Sequence, residues 1–310
     1  GELALDCADD ALHADCVELS GGALCIASGD DGVHADSALT VSGGTIDISE
    51  SYEGLEGETV TITGGTIALS ASDDGINCAG GADASGFGGM FGGGFGGASG
   101  DYVLTIAGGS VYIEAGGDGL DSNGSIVMTG GAVTVFGPTD DANGSIDYET
   151  TFDLSGGTLI AAGSSGMAEG PSDSSAQNSL AVWLTSAQES AEVVITDESG
   201  ARIASFTPSC AFSWVLFSSP DIETGKTYTV TVGGAEAGSA AAEAGVTTIG
   251  TARGFGGSGG GPGGGMPQGG QAPADFDPDN APADFDPDNA PTRPDGQAPA
   301  DFDPDGAPTP

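Results

Sequence analysis

A Gly-Gly doublet recurs along the first half of the chain at a spacing of 21 or 22 residues. The doublets begin at Gly21, Gly43, Gly64, Gly108 and Gly130. The interval doubles between the third and the fourth, because a Gly/Phe-rich stretch occupies residues 80–100. A constant period of this length is typical of solenoids, in which each repeat buries its apolar face only against its neighbours.

Apolar residues alternate on both sides of each doublet. Leu39 and Val41 precede the doublet at Gly43, and Ile46 and Ile48 follow it. A third apolar position comes after an acidic turn in each repeat, at Val33, Leu55, Ile76 and Leu120. Alternation of this kind indicates strands with one buried face. We therefore predict an all-β chain whose residues 1–170 form a right-handed parallel β-helix with about 22 residues per rung, bending sharply at glycines where positive φ is needed.

The remaining residues predict two further regions. Residues 171–250 carry apolar runs around Trp183 and Trp214 with turn signals between them, which indicates an antiparallel all-β segment that caps the last rung. Residues 251–310 are a Gly-rich run followed by Asp-Phe-Asp-Pro repeats. A segment so poor in core-forming residues is expected to be disordered. A weak Ca²⁺-binding role for this acidic tail is the alternative.

The charge balance limits the possible partners. The chain has 4 basic and 46 acidic residues, for a net charge of −42. Nucleic acids and anionic membrane surfaces require cationic patches, so we expect no nucleic-acid partner. There is no apolar run long enough for membrane insertion. We expect a monomer that is extracellular or on the cell surface, and, since Gly1 falls inside a repeat, rungs and a signal peptide upstream.

Acidic side chains recur at two positions of the repeat. Ten residues after the doublets stand Asp31, Glu53, Asp74, Asp118 and Asp140, and thirteen after them stand His34, Glu56, Asn77, Asp121 and Asn143. Adjacent rungs of a parallel sheet lie about 4.8 Å apart. Two like charges at about 5 Å cost roughly 3 kcal/mol at an effective dielectric constant of about 20. Because no Lys or Arg precedes Arg202, protonation or bound cations must compensate these charges.

Calcium is the cation that these ligands suit, since it takes six to eight oxygen ligands and fits between two rungs. The predicted calcium ligands are Asp10, Asp31, Glu53 and Asp74 in the main column, Asp30, Asp36, Glu56, Asp73 and Asn77 beside it, and Asp118 and Asp121 in another site beyond the insertion. The alternative is that the acidic residues only form turns. His13 and His34 are interpreted as hydrogen-bonding turn residues. The five cysteines form no Cys-x-x-Cys pair, which argues against a structural zinc site.

Four short strings resemble one known family. They are Ser42-Gly43-Gly44-Thr45-Ile46, Tyr52-Glu53-Gly54-Leu55-Glu56-Gly57, Ile62-Thr63-Gly64-Gly65-Thr66-Ile67 and Ser72-Asp73-Asp74-Gly75-Ile76-Asn77. They are similar to the bacterial carbohydrate-binding domain-containing β-helix family, as is the later stretch from Phe212 to Tyr228. The resemblance covers about residues 1–235. It implies a fold like that of family 9 polysaccharide lyases, bound calcium, and binding of cellulose and acidic pectin-like polysaccharides.

Three functions remain open from the sequence. The first is calcium-dependent binding of polysaccharide without catalysis, for which Tyr52 and His34 are the predicted carbohydrate contacts. The second is a structural or adhesive surface protein in which calcium only stabilises the rod. The third is a polysaccharide lyase, whose elimination needs a base beside a calcium-neutralised carboxyl. Resemblance to the β-helical lyases implies a Lys or Arg base, and since the predicted helix has neither, we expect no enzyme.

Overall fold

The computed structural model describes residues 1–79 and 102–251, and in these ranges the protein is all-β with no helix. It forms a β-solenoid of about 6 turns with about 22 residues per turn, which confirms the predicted parallel β-helix. No helix in the described ranges could cross a membrane. The predicted insertion at residues 80–100 and the predicted disordered tail lie outside these ranges, apart from Thr251.

Twenty strands make up the described ranges. They are β1 (Glu2–Cys7), β2 (Leu12–Ser28), β3 (Val33–Glu50), β4 (Leu55–Ala71), β5 (Ile76–Cys78), β6 (Val103–Ile106), β7 (Ser110–Ala115), β8 (Leu120–Ser122), β9 (Ser125–Met128), β10 (Ala132–Phe136), β11 (Ile146–Tyr148), β12 (Thr151–Leu154), β13 (Thr158–Gly163), β14 (Ser179–Gln188), β15 (Val193–Asp197), β16 (Arg202–Phe206), β17 (Phe212–Ser218), β18 (Thr227–Val232), β19 (Ala235–Ala241) and β20 (Val246–Ile249).

Each full rung contributes three parallel strand segments that stack on the same segments of the next rung. The segment after the doublet forms the first face, as where β4 pairs with β7 and β10 pairs with β13. The segment before the doublet forms the second face, as in the pairing of β6 with β9. The segment after the acidic turn forms the third face, in which β5 pairs with β8 and β8 with β11. Long strands such as β3 pass two corners, one between Ala35 and Ala38 and one at the doublet, and so contribute to all three faces.

The second glycine of every doublet has the backbone conformation that the sequence predicts. These residues have positive φ between 85° and 97°, and they are Gly22, Gly44, Gly65, Gly109, Gly131 and Gly157. A side chain is strained in this region of φ/ψ space. The doublet is therefore the corner between the second and the first face, and its recurrence sets the length of the rung.

The core of the solenoid is a stack of aliphatic side chains from all three faces. Val41, Ile46 and Leu55 are representative members, with 0–2% of their surface exposed. They occupy the positions at which apolar residues alternate in the sequence, because successive side chains of a strand point to opposite faces of its sheet. The core therefore confirms the register that the pattern predicts.

The predicted C-terminal β segment continues the first face and covers its last rung. β17 pairs antiparallel with β13, β14 pairs antiparallel with β17, and β20 pairs parallel with β14. Trp214 and Leu216 of β17 pack into the solenoid core, whereas Val215 and Phe217 belong to a second core. A separate antiparallel sheet of order β16-β15-β18-β19 contributes Val193 and other residues to that second core. The segment thus terminates the solenoid by offering it a partner strand and apolar side chains.

The acidic turn between the first and third faces leaves no room for a side chain at Gly32. A Cβ atom there would lie 2.7 Å from the carbonyl oxygen of Gly54 and 2.7 Å from Cδ1 of Ile48. We expect Gly32→Ala to lower the free energy of unfolding by about 1–3 kcal/mol, the usual cost of overpacking. Chemical denaturation measures this. Gly21→Ala is the control, because no atom lies within 4 Å of its Cβ position, and equal stability losses in both variants would contradict the packing that we describe.

Candidate metal centres

Two columns of polar side chains run along the solenoid beside the acidic turns. We call the first the turn column, and its members are Asp10, Asp31, Glu53, Asp74 and Asp118. The second, the strand column, lies on the third face, where each member pairs in register with the next, and its members are His13, His34, Glu56, Asn77, Asp121 and Asp147. The solenoid therefore aligns nearly all the carboxylates that the repeat predicted.

The turn column is held by hydrogen bonds between rungs. The backbone N–H of Asp31 donates to Asp10 Oδ1 at 3.1 Å, and the N–H of Glu53 donates to Asp31 Oδ1 at 3.2 Å. The N–H of Asp118 donates to Asp74 Oδ1 at 2.6 Å, and that of Gly144 to Asp118 Oδ1 at 2.5 Å. Turn formation by the acidic residues, the alternative to calcium binding in the sequence analysis, would place such bonds within one turn. The structure places them between turns, so these carboxylates also connect the rungs.

Glu53 differs from the other members of the turn column. Its longer side chain accepts a hydrogen bond from Asn77 Nδ2 at 2.9 Å. Burial, and then the charge of Glu56, raise the pKa of Glu53 to about 9. Glu53 also forms a set with Asp31 and Glu56 in which one oxygen of each lies within 4.8 Å of the others. We call this set the middle acidic cluster. Without a bound cation, the ionised carboxylates of this cluster would repel one another where water only partly reaches them.

A second set of three carboxylates lies toward the C-terminal end of the solenoid. Asp118, Asp121 and Asp147 each place an oxygen within 4.8 Å of the others, and we call them the C-terminal acidic cluster. Burial raises the pKa of Asp121 to about 8 and that of Asp118 to about 6. Asp74 lies near enough to raise the pKa of Asp121 further, and burial raises its own pKa to about 7. The site predicted beyond the insertion therefore has a third carboxylate.

Asp147 is a candidate ligand that sequence reasoning missed. The spacing from the doublet predicted Asp140 and Asn143 at this rung, and that prediction is wrong. Asp147 pairs with Asp121, whereas Asp140 accepts a hydrogen bond from Ala142 in its own turn. The rung contains four extra residues after β10, so counting from the doublet fails there. An aliphatic residue directly before the acid, as at Ile146, is the signal that would have found it.

Asn77 offers an oxygen that has no partner within the protein. Its side chain is 7% exposed, and its Oδ1 atom accepts no hydrogen bond. In the strand column Asn77 stands between Glu56 and Asp121. A buried carbonyl oxygen without a donor costs about 1–3 kcal/mol, and a bound cation would remove that cost. Asn77 thus remains a candidate ligand between the two acidic clusters.

The other predicted calcium ligands are divided among different surroundings. Asp30 lies with Asp9 and Asp10 in a set of three carboxylates in the first turns. Asp36 belongs to neither acidic cluster, and its Oδ1 lies against the two imidazoles, 3.0 Å from His13 Nε2 and 3.7 Å from His34 Nε2. Asp73 accepts a hydrogen bond from the Tyr52 hydroxyl, which raises the pKa of that tyrosine.

The two predicted carbohydrate contacts differ in accessibility. Tyr52 is 36% exposed and stands directly before Glu53 of the turn column. His34 is only 1% exposed, because the ring of His13 and several carboxylates surround it. A sugar in solution can reach Tyr52 but not the face of the His34 ring. The geometry therefore supports the first contact and disfavours the second.

No protein-family model matches the chain, and no curated protein or solved structure shows significant similarity to it. The resemblance to the carbohydrate-binding β-helix family therefore stays a prediction made from short strings.

Proposed function

We propose that the protein is an extracellular calcium-binding β-helix that binds acidic polysaccharide without catalysis. The observation that carries the proposal is the stack of carboxylates on successive rungs. Burial and mutual repulsion raise the pKa of Glu53, Asp74 and Asp121, and no Lys or Arg precedes Arg202. A divalent cation bound by these oxygens would offset both costs, and the sets of three oxygens suit calcium.

The choice of an acidic glycan follows from what the surface offers. A uronate-rich chain would be repelled by this protein unless calcium bridged the two, through coordination positions that the protein leaves to water. Cellulose would need a row of exposed aromatic rings. In the described ranges the exposed aromatic side chains are Tyr52 and Tyr112, whereas Tyr102 and Phe136 of the solenoid are buried. A pectin-like glycan is therefore favoured over cellulose as the ligand.

A structural or adhesive role is the second candidate, and the hydrogen bonds of the turn column favour it. Each carboxylate that accepts an N–H from the next rung stabilises the rod whether or not a glycan binds. In that case calcium would stiffen the solenoid and the affinity for polysaccharide would be absent.

Calorimetric titration with polygalacturonate in calcium and in EDTA tests the proposal. We expect binding in calcium only, and no unsaturated uronate product by absorbance. Product formation would instead indicate a lyase, and a calcium-bound protein without glycan affinity would indicate the structural role. Cellulose titrated in parallel tests the neutral glycan.

Tyr52→Ala is expected to weaken the binding of polygalacturonate roughly 5-fold, the equivalent of about 1 kcal/mol of lost stacking. Tyr112→Ala is the matched control, because its ring is equally exposed, at 36%, but lies on the first face. The same titration measures both variants. Equal affinities in the two variants would remove Tyr52 from the glycan site.

A further inference from the structure

Two imidazoles and a carboxylate converge in the first rungs, outside both acidic clusters. His13 Nε2 lies 3.0 Å from Asp36 Oδ1, and His34 Nε2 lies 3.7 Å from the same oxygen. The three residues can place their ligand atoms within 4.8 Å of one another. His13 and His34 are register partners on adjacent rungs, with ring centroids 4.4 Å apart. We call these three residues the histidine cluster.

The other nitrogen of each ring faces carboxylates. His13 Nδ1 lies 3.0 Å from Asp10 Oδ2, and His34 Nδ1 lies 3.0 Å from Asp31 Oδ2 and 2.5 Å from Glu56 Oε2. In the tautomer that carries its proton on Nδ1, each ring donates that N–H to these carboxylates, which only accept when ionised, and Nε2 carries the lone pair that a metal ion would take. In His13 this leaves Nε2 and Asp36 Oδ1 3.0 Å apart with no proton between them, and a metal ion shared by both would remove that unfavourable contact. Histidines that bind metals are oriented in this way, with the second N–H held by a carboxylate or carbonyl.

His34 Nε2 provides an independent sign of a missing ligand. The residue is 1% exposed, and this nitrogen makes no hydrogen bond within the described residues. Its nearest named partner, Asp36 Oδ1, is too distant to bond it. A buried acceptor left unsatisfied costs about 1–3 kcal/mol. A metal ion at this nitrogen would remove the cost.

We propose that His13, His34 and Asp36 bind one divalent transition-metal ion, with water completing its coordination. Imidazole nitrogen suits zinc, copper, nickel and iron, whereas calcium takes oxygen ligands. Bonds of about 2.0–2.1 Å to a tetrahedral zinc ion would place the ligand atoms about 3.3 Å apart. The side chains of His13 and Asp36 are 43% and 49% exposed, so they are free to close that distance around the buried His34.

This site is distinct from the proposed calcium sites, and its ligand chemistry is different. The sequence analysis interpreted His13 and His34 as turn residues and did not predict this site, because the repeat alone does not show that Asp36 lies against both rings. The Asp10, Asp31 and Glu56 carboxylates act here through the imidazoles, as positioning residues.

Titration of the untagged full chain with Co²⁺ and Zn²⁺, in millimolar Ca²⁺ that occupies the acidic clusters, tests the site. We expect one Co²⁺ ion to bind per chain. Its visible absorption bands should be those of Co²⁺ coordinated by nitrogen and oxygen, and added Zn²⁺ should displace the ion and abolish these bands. His13→Gln and Asp36→Asn should each weaken binding at least about 100-fold, since loss of an orienting partner alone costs 10–100-fold. The side chains of His13 and Asp36 are both exposed, so neither substitution leaves a cavity in the core and both variants should fold.

Asp47→Asn is the matched control, because Asp47 is an exposed carboxylate of the same strand, β3, on the first face. It should leave Co²⁺ affinity unchanged. Cys16 is exposed in the neighbouring strand β2, so a thiolate-to-cobalt charge-transfer band that disappears in Cys16→Ser would overturn the assignment. Undiminished affinity in His13→Gln, or no bound Co²⁺ at all, would overturn it too. The variants are all compared at one Ca²⁺ concentration, and none of these comparisons depends on whether glycan binds.

Discussion

In millimolar Ca²⁺ the protein is expected to unfold at a temperature about 5–10 °C higher, for each acidic cluster that is occupied, than it does in EDTA. A ligand at about 100 times its dissociation constant stabilises the folded state by about 2.7 kcal/mol, and 1 kcal/mol corresponds to about 2–4 °C for a domain of 150–250 residues. The physical source is the relief of repulsion among carboxylates that are buried or half-buried. Differential scanning calorimetry with and without calcium measures the shift.

Variants of the two acidic clusters show how much each cluster contributes to the calcium-dependent rise in melting temperature. Asp118→Asn with Asp121→Asn should remove the contribution of the C-terminal acidic cluster, and Glu53→Gln with Glu56→Gln that of the middle one. Each amide keeps the shape of the side chain and removes its charge. Asp47→Asn with Asp153→Asn removes the same charge from exposed positions on the other two faces and should leave the shift intact.

Two outcomes would contradict the calcium assignment. The first is an unchanged calcium stoichiometry when both clusters carry amides. The second is an equal melting temperature in calcium and EDTA for the unaltered chain. In either case the carboxylates of the turn column would serve as connections between rungs only, and the structural role would take precedence over glycan binding.

Without calcium, the protein is expected to lose stability as the pH rises from about 4 to about 9. The folded protein raises the pKa of Asp118 to about 6, Asp74 to about 7, Asp121 to about 8 and Glu53 to about 9. These groups hold protons in the folded state that the unfolded chain has already released. Their stabilising contribution is complete below the pKa values of the unfolded chain, near 4, and is lost as the pH passes the folded values. Each proton of difference lowers the free energy of unfolding by about 1.4 kcal/mol per pH unit.

Calcium should reverse this trend, because it binds only deprotonated carboxylates. The difference in unfolding free energy between calcium and EDTA should therefore widen from pH 5 to pH 9 in urea titrations. Glu53→Gln can still accept the hydrogen bond from Asn77 and should flatten the slope in EDTA at the alkaline end, whereas the exposed Asp153→Asn should not. A calcium-free protein that is most stable at pH 8 would contradict the buried, repelling arrangement of the clusters.

Much of the fold could be predicted from the sequence, because a solenoid repeats one local rule. The Gly-Gly doublet requires positive φ at its second residue, and apolar alternation such as Leu39 and Val41 defines the buried face. Once these two features recur every 21 or 22 residues, the register follows, and the carboxylates of successive turns must align. The acidic columns were predictable for that reason.

The prediction from the spacing was wrong at the rung that is longer than the others. Four extra residues after β10 moved Asp147 into the place that the spacing gave to Asn143, and only strand pairing revealed this. The partners of individual side chains were also beyond the pattern. The spacing alone does not show that Asp31 accepts the N–H of Glu53 from the next rung, because this depends on how closely the two turns stack.

The sequence by itself determined the solenoid, its period and the acidity of one edge, because these depend on spacing and residue type alone. The tertiary structure decided which side chains become ligand sets, because that depends on burial and direction. His34 lies between two buried residues of β3 and points away from the core, yet neighbouring rungs enclose it and leave its Nε2 facing Asp36. A sequence lists such residues, but only the stacked rungs bring one imidazole over another and orient both toward a single carboxylate.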